Sequence, residues 1–248
     1  MGRSLDYDSA HSRARERGPN TALVRLVRLL LVPLLRLGFG LRVTGREHVP
    51  ASGAAIIAPN HKSFWDAFFI AAVLRRNVQF MGKAELFTGL RGRVFLALGA
   101  FPVRRGSSDN AAIDTARAVL ARGDVLALFP EGTRVRDPDA LGPPRRGAAR
   151  LALETGAPLV PTAMTGTERR RFHLPRAVQI SFGEPIVVPA AGVEAATPEA
   201  AAELLEGRLW PTVSDDYRRL KAGPGLVAAG VAAAGLGLLL ERRRRKRR

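Results

Sequence analysis

The sequence predicts an α/β fold, a single domain in which helices flank a largely parallel or mixed central sheet. Short apolar runs alternate with longer stretches of helical periodicity from about residue 41 to residue 188. Such alternation is typical of parallel strands joined by helical crossovers. A chain of 248 residues is also long enough for one well-buried domain with short appendages.

Each element follows from its local pattern, because buried strands are short and uniformly apolar whereas helices repeat their apolar positions every three to four residues. The predicted strands span 54–58, 78–81, 125–129, 159–164 and 178–182. The predicted helices span 64–75, 86–98, 110–122 and 147–155, and a further helix is expected over 197–220. We therefore assign residues 42–220 to one folded domain.

The N-terminal 41 residues divide into two segments. Residues 1–20 are polar and charged and are interrupted by Gly18-Pro19, so we predict disorder there. Residues 21–41 combine a wide apolar surface with a basic stripe and predict an amphipathic helix lying in a membrane interface. The alternative is a helix packed on the protein's own core. Pro33 is expected to kink or end this helix.

The C-terminal end combines an apolar and a basic segment. Residues 223–240 form an uncharged run rich in Gly, Ala and Leu, and residues 241–248 form a basic tail. Eighteen helical residues reach roughly 27 Å, slightly short of a ~30 Å hydrocarbon core. We therefore expect an in-plane or re-entrant membrane-associated segment in preference to a true span. The tail is expected to bind anionic lipid headgroups, unless it is simply solvated.

The composition narrows the possible partners and chemistry. The formal net charge of +17 favours a polyanionic partner, although a general richness in Ala, Arg and Gly also contributes to it. With two Trp, two Tyr and no recognisable nucleic-acid motif, we expect an anionic membrane surface and no nucleic acid. The chain has no cysteine, which excludes disulfides and thiol nucleophiles. No pair of histidines has ligand spacing, so no metal site is predicted.

The most informative motif is the segment 60–66, with the sequence NHKSFWD. It places His61 and Asp66 five residues apart, just after the predicted strand 54–58. On one continuous helix the two side chains would point about 140° apart, so they meet only if His61 lies in the loop before the helix. Ser63 and Asp66 have the form of a capping box, with Ser63 as N-cap, and this gives Asp66 an alternative structural role.

Two further motifs offer groups for an anionic ligand. In FPEGTR, residues 129–134, Gly132 permits a left-handed turn, Thr133 offers a hydroxyl and Arg134 offers a planar fork for phosphate oxygens. Glu131 is expected to accept a hydrogen bond from a substrate hydroxyl. In GAFPVRRG, residues 99–106, a strand would send the two adjacent arginines to opposite faces. The alternative for FPEGTR is a surface turn with a solvated charge pair, and the alternative for GAFPVRRG is a solvated basic pair.

Together these motifs resemble the glycerolipid acyltransferase family, over roughly residues 41–188. The segment 60–66 matches the family's NHxSxxD signature, 101–105 its second motif, 129–134 its FPEGTR motif in full, and 160–162 its fourth motif. Arg104 departs from the family pattern, in which relatives often carry an acidic or polar residue. The resemblance identifies 42–220 as an acyltransferase domain.

The resemblance implies a mechanism. His61 would act as general base on the free hydroxyl of a lysophospholipid, and Asp66 would orient its ring. The hydroxyl would attack an acyl thioester directly, without a cofactor or an acyl-enzyme. The groups implied to bind the substrate phosphate and glycerol, or to add positive charge nearby, are Arg105, Glu131, Gly132, Thr133, Arg134 and Lys83.

The leading expectation is acyl transfer to lysophosphatidic acid, giving phosphatidic acid, at the cytoplasmic face of the cell membrane by a peripheral or monotopic protein. The donor is expected to be acyl-CoA or acyl carrier protein. Another lysophospholipid, an aminoacyl-lipid or a glycolipid stays open as acceptor. A non-catalytic membrane-binding or nucleic-acid-binding protein is the alternative from another class.

Overall fold

Seven strands form one sheet in the computed structural model, which describes residues 6–104, 109–168 and 177–223. The strands are β1 (Arg42–Thr44), β2 (Ala55–Pro59), β3 (Val78–Lys83), β4 (Ala100–Val103), β5 (Val125–Ala127), β6 (Leu159–Thr165) and β7 (Gln179–Phe182). Their order is β1-β7-β6-β2-β5-β3-β4, and neighbouring strands are parallel except β6 and β7. The predicted α/β class with a largely parallel sheet is confirmed.

Helices cover both faces of the sheet. They are α1 (Tyr7–Arg17), α2 (Thr21–Phe39), α3 (Asp66–Val73), α4 (Gly89–Ala97), α5 (Asn110–Ala121), α6 (Gly147–Thr155), α7 (Gly192–Ala195), α8 (Pro198–Leu204) and α9 (Trp210–Ala222). The predicted helix over 197–220 is divided into α8 and α9 by a π-helical turn at Leu205–Leu209.

Strand β2 explains why the apolar runs are continuous. All five of its residues are buried, and they alternate between two cores. Ile56 and Ala58 pack with α5, α6, α8 and α9, whereas Ala55 and Ile57 pack with α2 and α3. A strand covered by helices on both faces needs apolar side chains at every position, which is the pattern that the sequence shows.

The structure adds two short strands to the five predicted ones. β1 pairs with β7 at one edge of the sheet, and β4 pairs with β3 at the other. β1 has a half-exposed pattern and only three residues, so it lacks an apolar run. After β1 the chain turns at Gly45, where φ is +69° and an added Cβ would lie 1.9 Å from the carbonyl oxygen of Phe182. Only glycine fits this close approach.

The prediction of disorder over residues 1–20 is wrong for residues 7–17, which form α1. Asp6 caps this helix by accepting a hydrogen bond from Ser9 N–H. Ala10, His11 and Ala14 are buried, and His11 Nδ1 lies 2.8 Å from Thr115 Oγ1 on α5. This narrow face of two alanines and one histidine is too weakly apolar to stand out in the sequence. Its packing against α5 and β4 provides the stability that the helix lacks by itself.

Helix α2 continues through Pro33 to Phe39, and one of its faces packs on the protein. Val24 and Leu35 pack on the protein's own core. The predicted basic stripe consists of Arg25, Arg28 and Arg36. Of these, Arg28 is bound within the protein, because its guanidinium donates to carbonyl oxygens at the end of α3, among them those of Ala71 and Arg75. The opposite face is exposed, and its apolar side chains are Leu26, Leu29, Leu30, Leu34 and Leu37.

None of the helices in residues 6–104, 109–168 and 177–223 has the length and apolar character needed to cross a membrane. The predicted membrane-associated segment 223–240, beyond Gly223, and the basic tail 241–248 lie outside the described residues.

Candidate active site

The histidine loop, residues 60–65, leaves the carboxyl end of β2 and leads into α3. Asn60 fixes its start: its side chain donates to the Met164 carbonyl over 3.1 Å and accepts from the Met164 N–H over 2.7 Å. These bonds tie the loop to β6, the neighbouring strand. His61 therefore lies before the helix, as its pairing with Asp66 requires.

His61 and Asp66 form a buried pair. His61 Nδ1 lies 2.9 Å from Asp66 Oδ2, and the side chain of Asp66 is fully buried. The same oxygen accepts hydrogen bonds from Lys62 N–H (2.7 Å) and Ser63 N–H (2.8 Å). A carboxylate oxygen only accepts, so we assign the Nδ1 proton to this bond, which leaves Nε2 free to take a proton.

The predicted capping box forms only in part. Helix α3 begins at Asp66, its N-cap is Trp65, and no side chain caps it. Asp66 does reach back to Ser63 N–H, but Ser63 Oγ accepts from Trp65 N–H (3.3 Å) and not from Asp66. The prediction of Ser63 as N-cap is wrong because the carboxylate is drawn into the histidine loop, where it binds three donors.

The segment 129–135 holds His61 at three points. The ring of Phe129 stacks on the imidazole, with centroids 4.0 Å apart. His61 N–H donates to Glu131 Oε2 over 2.5 Å, and the His61 carbonyl accepts from Val135 N–H over 2.9 Å. Ring stacking and two backbone bonds together fix both the position and the plane of the imidazole.

Glu131 is buried beside His61. It is 3% exposed, and its second oxygen accepts from Gly142 N–H over 2.7 Å. Burial raises the pKa of this carboxyl group, and the bonds from Gly142 and His61 oppose that shift. Both oxygens of Glu131 bind backbone donors within the protein, and its predicted contact with a substrate hydroxyl stays a prediction.

The turn after Glu131 carries the exposed groups of the motif. Gly132 has φ +66°, and its N–H closes a turn onto the Phe129 carbonyl over 2.9 Å. An added Cβ would lie 3.0 Å from the side chain of Arg145, so that arginine lies directly over the turn. Thr133 and Arg134 are exposed beside it. The arrangement collects two guanidinium groups and a hydroxyl around one glycine.

Two other cations from the sequence motifs, Lys83 and Arg104, have partners of their own. Lys83 is half-exposed at the end of β3 and pairs with Glu85 over 3.0 Å. The guanidinium of Arg104 lies 3.8 Å from the ring centroid of Tyr7 on α1. Arg105, the predicted phosphate ligand, lies outside the described residues.

An apolar cavity of about 230 Å³ opens beside His61. Its walls come from α2, α3, β3 and α4, and include Leu31, Ala71, Phe80 and Phe95. Its ionisable lining residues are Arg28, His61, Lys83 and Arg134. The cavity therefore presents a basic nitrogen and cationic groups to a space suited to a hydrocarbon chain.

Sequence reasoning missed three residues of this site. The sequence predicts Phe129 only as a strand residue and Lys62 only as one position of the NHKSFWD motif. It predicts no role for Arg145. Arg145 did carry a signal, since GPPRRG at 142–147 repeats the arginine pair before glycine found at 104–106. Its backbone N–H donates to the Pro130 carbonyl over 2.7 Å, which brings it to the turn.

The fold and this buried histidine–carboxylate pair define a class of α/β transferases, and comparison with known proteins identifies the family. The Acyltransferase family model matches residues 40–165, half of the chain. The chain belongs to this family, and the predicted family and acyltransferase class are confirmed.

Among similar proteins, 1-acyl-sn-glycerol-3-phosphate acyltransferase of Bacillus subtilis (strain 168) is 31% identical over 156 residues, covering 62% of this chain and 77% of that protein. The alpha enzyme of the same name from Mus musculus is 28% identical over 198 residues, covering 74% and 66%. The crystal structure of the 1-acyl-sn-glycerophosphate (LPA) acyltransferase PlsC from Thermotoga maritima superposes with a TM-score of 0.62 over 88% of this chain and 89% of that one. At 20% identity, this superposition shows a shared fold.

Proposed function

We propose that this protein transfers a fatty acyl group from a thioester donor to the free hydroxyl of lysophosphatidic acid, giving phosphatidic acid. The observation that carries the proposal is the His61–Asp66 pair, 2.9 Å apart, beside an apolar cavity. The pair supplies a base, and the cavity suits the acyl chain of an amphiphile. The acceptor is supported by the names of the similar enzymes from Bacillus subtilis and Mus musculus.

The reaction uses His61 as general base. Nε2 takes the hydroxyl proton as the hydroxyl oxygen bonds to the thioester carbonyl carbon. The tetrahedral intermediate collapses, the carbon–sulfur bond breaks, and the imidazolium returns the proton to the leaving sulfur. Asp66 stabilises the imidazolium and keeps Nε2 directed at the substrate. No acyl-enzyme is required, and the chain has no cysteine to form one.

The acceptor phosphate would bind at the basic turn around Gly132. Arg134 and Arg145 offer planar donors there, and Thr133 adds a hydroxyl. Lys83 adds positive charge at the cavity wall. Arg105, proposed from its motif, would complete the phosphate site. Glu131 contributes indirectly, by holding the His61 backbone.

A donor-by-acceptor activity matrix tests this function. We expect purified protein in detergent to consume acyl-CoA or acyl carrier protein thioesters only when lysophosphatidic acid is present. Lysophospholipids with other headgroups, an aminoacyl-lipid and a glycolipid serve as competing acceptors. A preference for one of them would overturn the acceptor assignment, and acyl transfer to none would overturn the enzymatic proposal altogether.

We also propose that α2 docks this domain on an anionic membrane surface, at the cytoplasmic face of the cell membrane. Its outer face exposes five leucines, and Leu29 is 71% exposed. Burial lowers the pKa of Arg46, and so do the positive charges of Arg75 and of Arg36, which lies in the last turn of α2. None of the three pairs with a carboxylate in the described part of the chain. Apolar side chains beside free cations suit an interface of anionic lipids.

Vesicle binding tests the docking face. Replacing both Leu29 and Leu34 by glutamate is expected to lower binding to anionic vesicles at least tenfold, because burying one leucine contributes about 1.5–3 kcal/mol. Cosedimentation with vesicles of phosphatidylglycerol and phosphatidylcholine measures the change. The matched control is Val193→Glu, at a residue 54% exposed on α7. Equal binding by the double variant and the control would contradict the proposal.

A further inference from the structure

Lys62, the residue after His61, has an unusual environment for a lysine. Its side chain is buried, with 7% of the residue exposed. The ammonium group donates to the carbonyl oxygens of Asp137 (2.7 Å) and Ala140. It also lies 5.2 Å from the ring centroid of Tyr217 on α9. Burial lowers the pKa of this ammonium group. Because burying a charge costs free energy, the hydrogen bonds to the two carbonyls are needed to hold the ammonium group there.

Helix α9 also binds this carbonyl loop, residues 137–142. The Tyr217 hydroxyl donates to the Pro138 carbonyl over 2.7 Å, and Tyr217 is 3% exposed. Lys221 Nζ donates to the Pro138 carbonyl as well. Carbonyls of residues 137, 138 and 140 are thus bound by side chains from the histidine loop and from α9.

The carbonyl loop leads back to the base. Gly142 N–H, at its end, donates to Glu131 Oε1, and the other oxygen of Glu131 accepts from His61 N–H. Val135 N–H, just before the loop, donates to the His61 carbonyl. The hydrogen bonds therefore form a closed ring from Lys62 through the carbonyl loop and Glu131 to the backbone of His61.

We infer that Lys62, together with Tyr217 of α9, is a positioning residue for the catalytic base: it holds the carbonyl loop so that Glu131 fixes His61 for proton transfer. This inference rests on the proposed acyl transfer. It makes α9 part of the active-site support, although α9 lies beyond residues 40–165, the segment that the family model matches.

The charge of Lys62 adds an electrostatic contribution. Glu131 is faced by Lys62 and His61 from the histidine loop, and both lower its pKa, whereas burial raises it. Tyr217 faces it from α9. Lys62 itself is faced by Glu168, Lys221 and Asp137 besides Glu131. Removing the Lys62 charge raises the pKa of Glu131. Glu131 is then protonated at a higher pH, and its protonated oxygen no longer accepts a hydrogen bond from a backbone N–H.

Lys62→Met is the decisive variant, since it keeps the side-chain length and removes the charge and the donors. We expect kcat to fall on the order of 10²-fold, as for a slightly misplaced base, with KM for donor and acceptor changed less than about threefold. The acidic limb of the pH profile of kcat/KM should move to higher pH. Lys62→Arg should restore the position of that limb, and Tyr217→Phe should lower kcat about tenfold.

The matched control is Arg76→Met. Arg76 also binds three carbonyls, those of Pro50, Gly53 and Gly123, but none of them belongs to the histidine loop or the carbonyl loop. Its loss should lower the melting temperature without moving the pH limb. An unmoved limb with unchanged kcat in Lys62→Met, or the same kinetic losses in Arg76→Met, would overturn the inference.

Amide hydrogen exchange separates this inference from the proposed function, because it requires no substrate. We expect exchange at His61 and Gly142 to accelerate at least tenfold in Lys62→Met and to stay unchanged in Arg76→Met. If the wild-type protein transfers no acyl group yet exchange accelerates, only the proposed function fails. If the wild-type enzyme is active and neither exchange nor kcat responds to Lys62→Met, only the positioning role fails.

Discussion

Replacing His61 by alanine is expected to lower kcat for acyl transfer by about 10²–10⁴-fold, because general-base catalysis contributes rate factors of this size. Asp66→Asn should cost a similar factor, since the amide no longer holds the imidazole in the tautomer that presents a basic Nε2. In the Ser-His-Asp triad the equivalent change costs about 10⁴-fold. Steady-state assays with lysophosphatidic acid measure both losses.

Folding has to be separated from catalysis in these variants. His61→Ala leaves the bonds from Lys62 N–H and Ser63 N–H to Asp66 in place, so a nearly unchanged melting temperature is expected. Asp66→Ala would leave those buried donors unpaired at about 1–3 kcal/mol, which makes asparagine the cleaner replacement. Asp114→Asn, in an exposed ion pair with Arg117, is the control and should stay fully active. Near-wild-type kcat in His61→Ala would exclude the general-base mechanism.

Filling the apolar cavity is expected to change which acyl chains the enzyme accepts. Ala71 on α3 lines the cavity, and Ala71→Trp inserts a ring into its volume of about 230 Å³. Each buried methylene contributes about 0.8 kcal/mol, so excluding about four of them costs about 3 kcal/mol, or roughly 10²-fold in kcat/KM. The loss should fall on long-chain thioesters and spare short ones.

A series of acyl thioesters of increasing length measures this selectivity. Ala71→Leu should give an intermediate cut-off in length. Ala195→Trp, at an exposed alanine at the end of α7, is the matched control and should keep the wild-type profile. An equal loss for every chain length in Ala71→Trp would show that the cavity does not hold the acyl chain.

The central sheet could be predicted from the sequence because its strands are covered on both faces. Every residue of β2 and β6 is buried, so β2 appears as an unbroken apolar run and β6 as an apolar run interrupted by Thr162. β1, with the sequence Arg-Val-Thr, shows no such run. β4 is an apolar run of only four residues that contains Pro102, so its pattern alone does not predict a strand. Helix α1 was missed for a related reason: its stability comes from packing on α5, which no local pattern reports.

The candidate site, like the sheet, could be predicted from the sequence only in part. The pairing of His61 with Asp66 followed from their spacing, because helical geometry allows only one arrangement that joins them. The direction of Glu131 did not follow, because a carboxylate in a glycine turn can face solvent or backbone, and Gly142 lies eleven residues further along the chain. The approach of Arg145 to Gly132 likewise depends on a long-range backbone bond to Pro130.

The position of β7 has a consequence for choosing fragments of this chain. β7 lies between β1 and β6, beyond the matched segment 40–165, and it provides the pairing partner of β1. Leu209 and Val213, further along, are fully buried in the core that β2 shares with α5 and α6. A fragment trimmed to the matched segment would open the sheet at that edge and expose this core to water. The cooperative folding unit is therefore larger than the region of family similarity, and a stable truncated protein has to extend at least through α9.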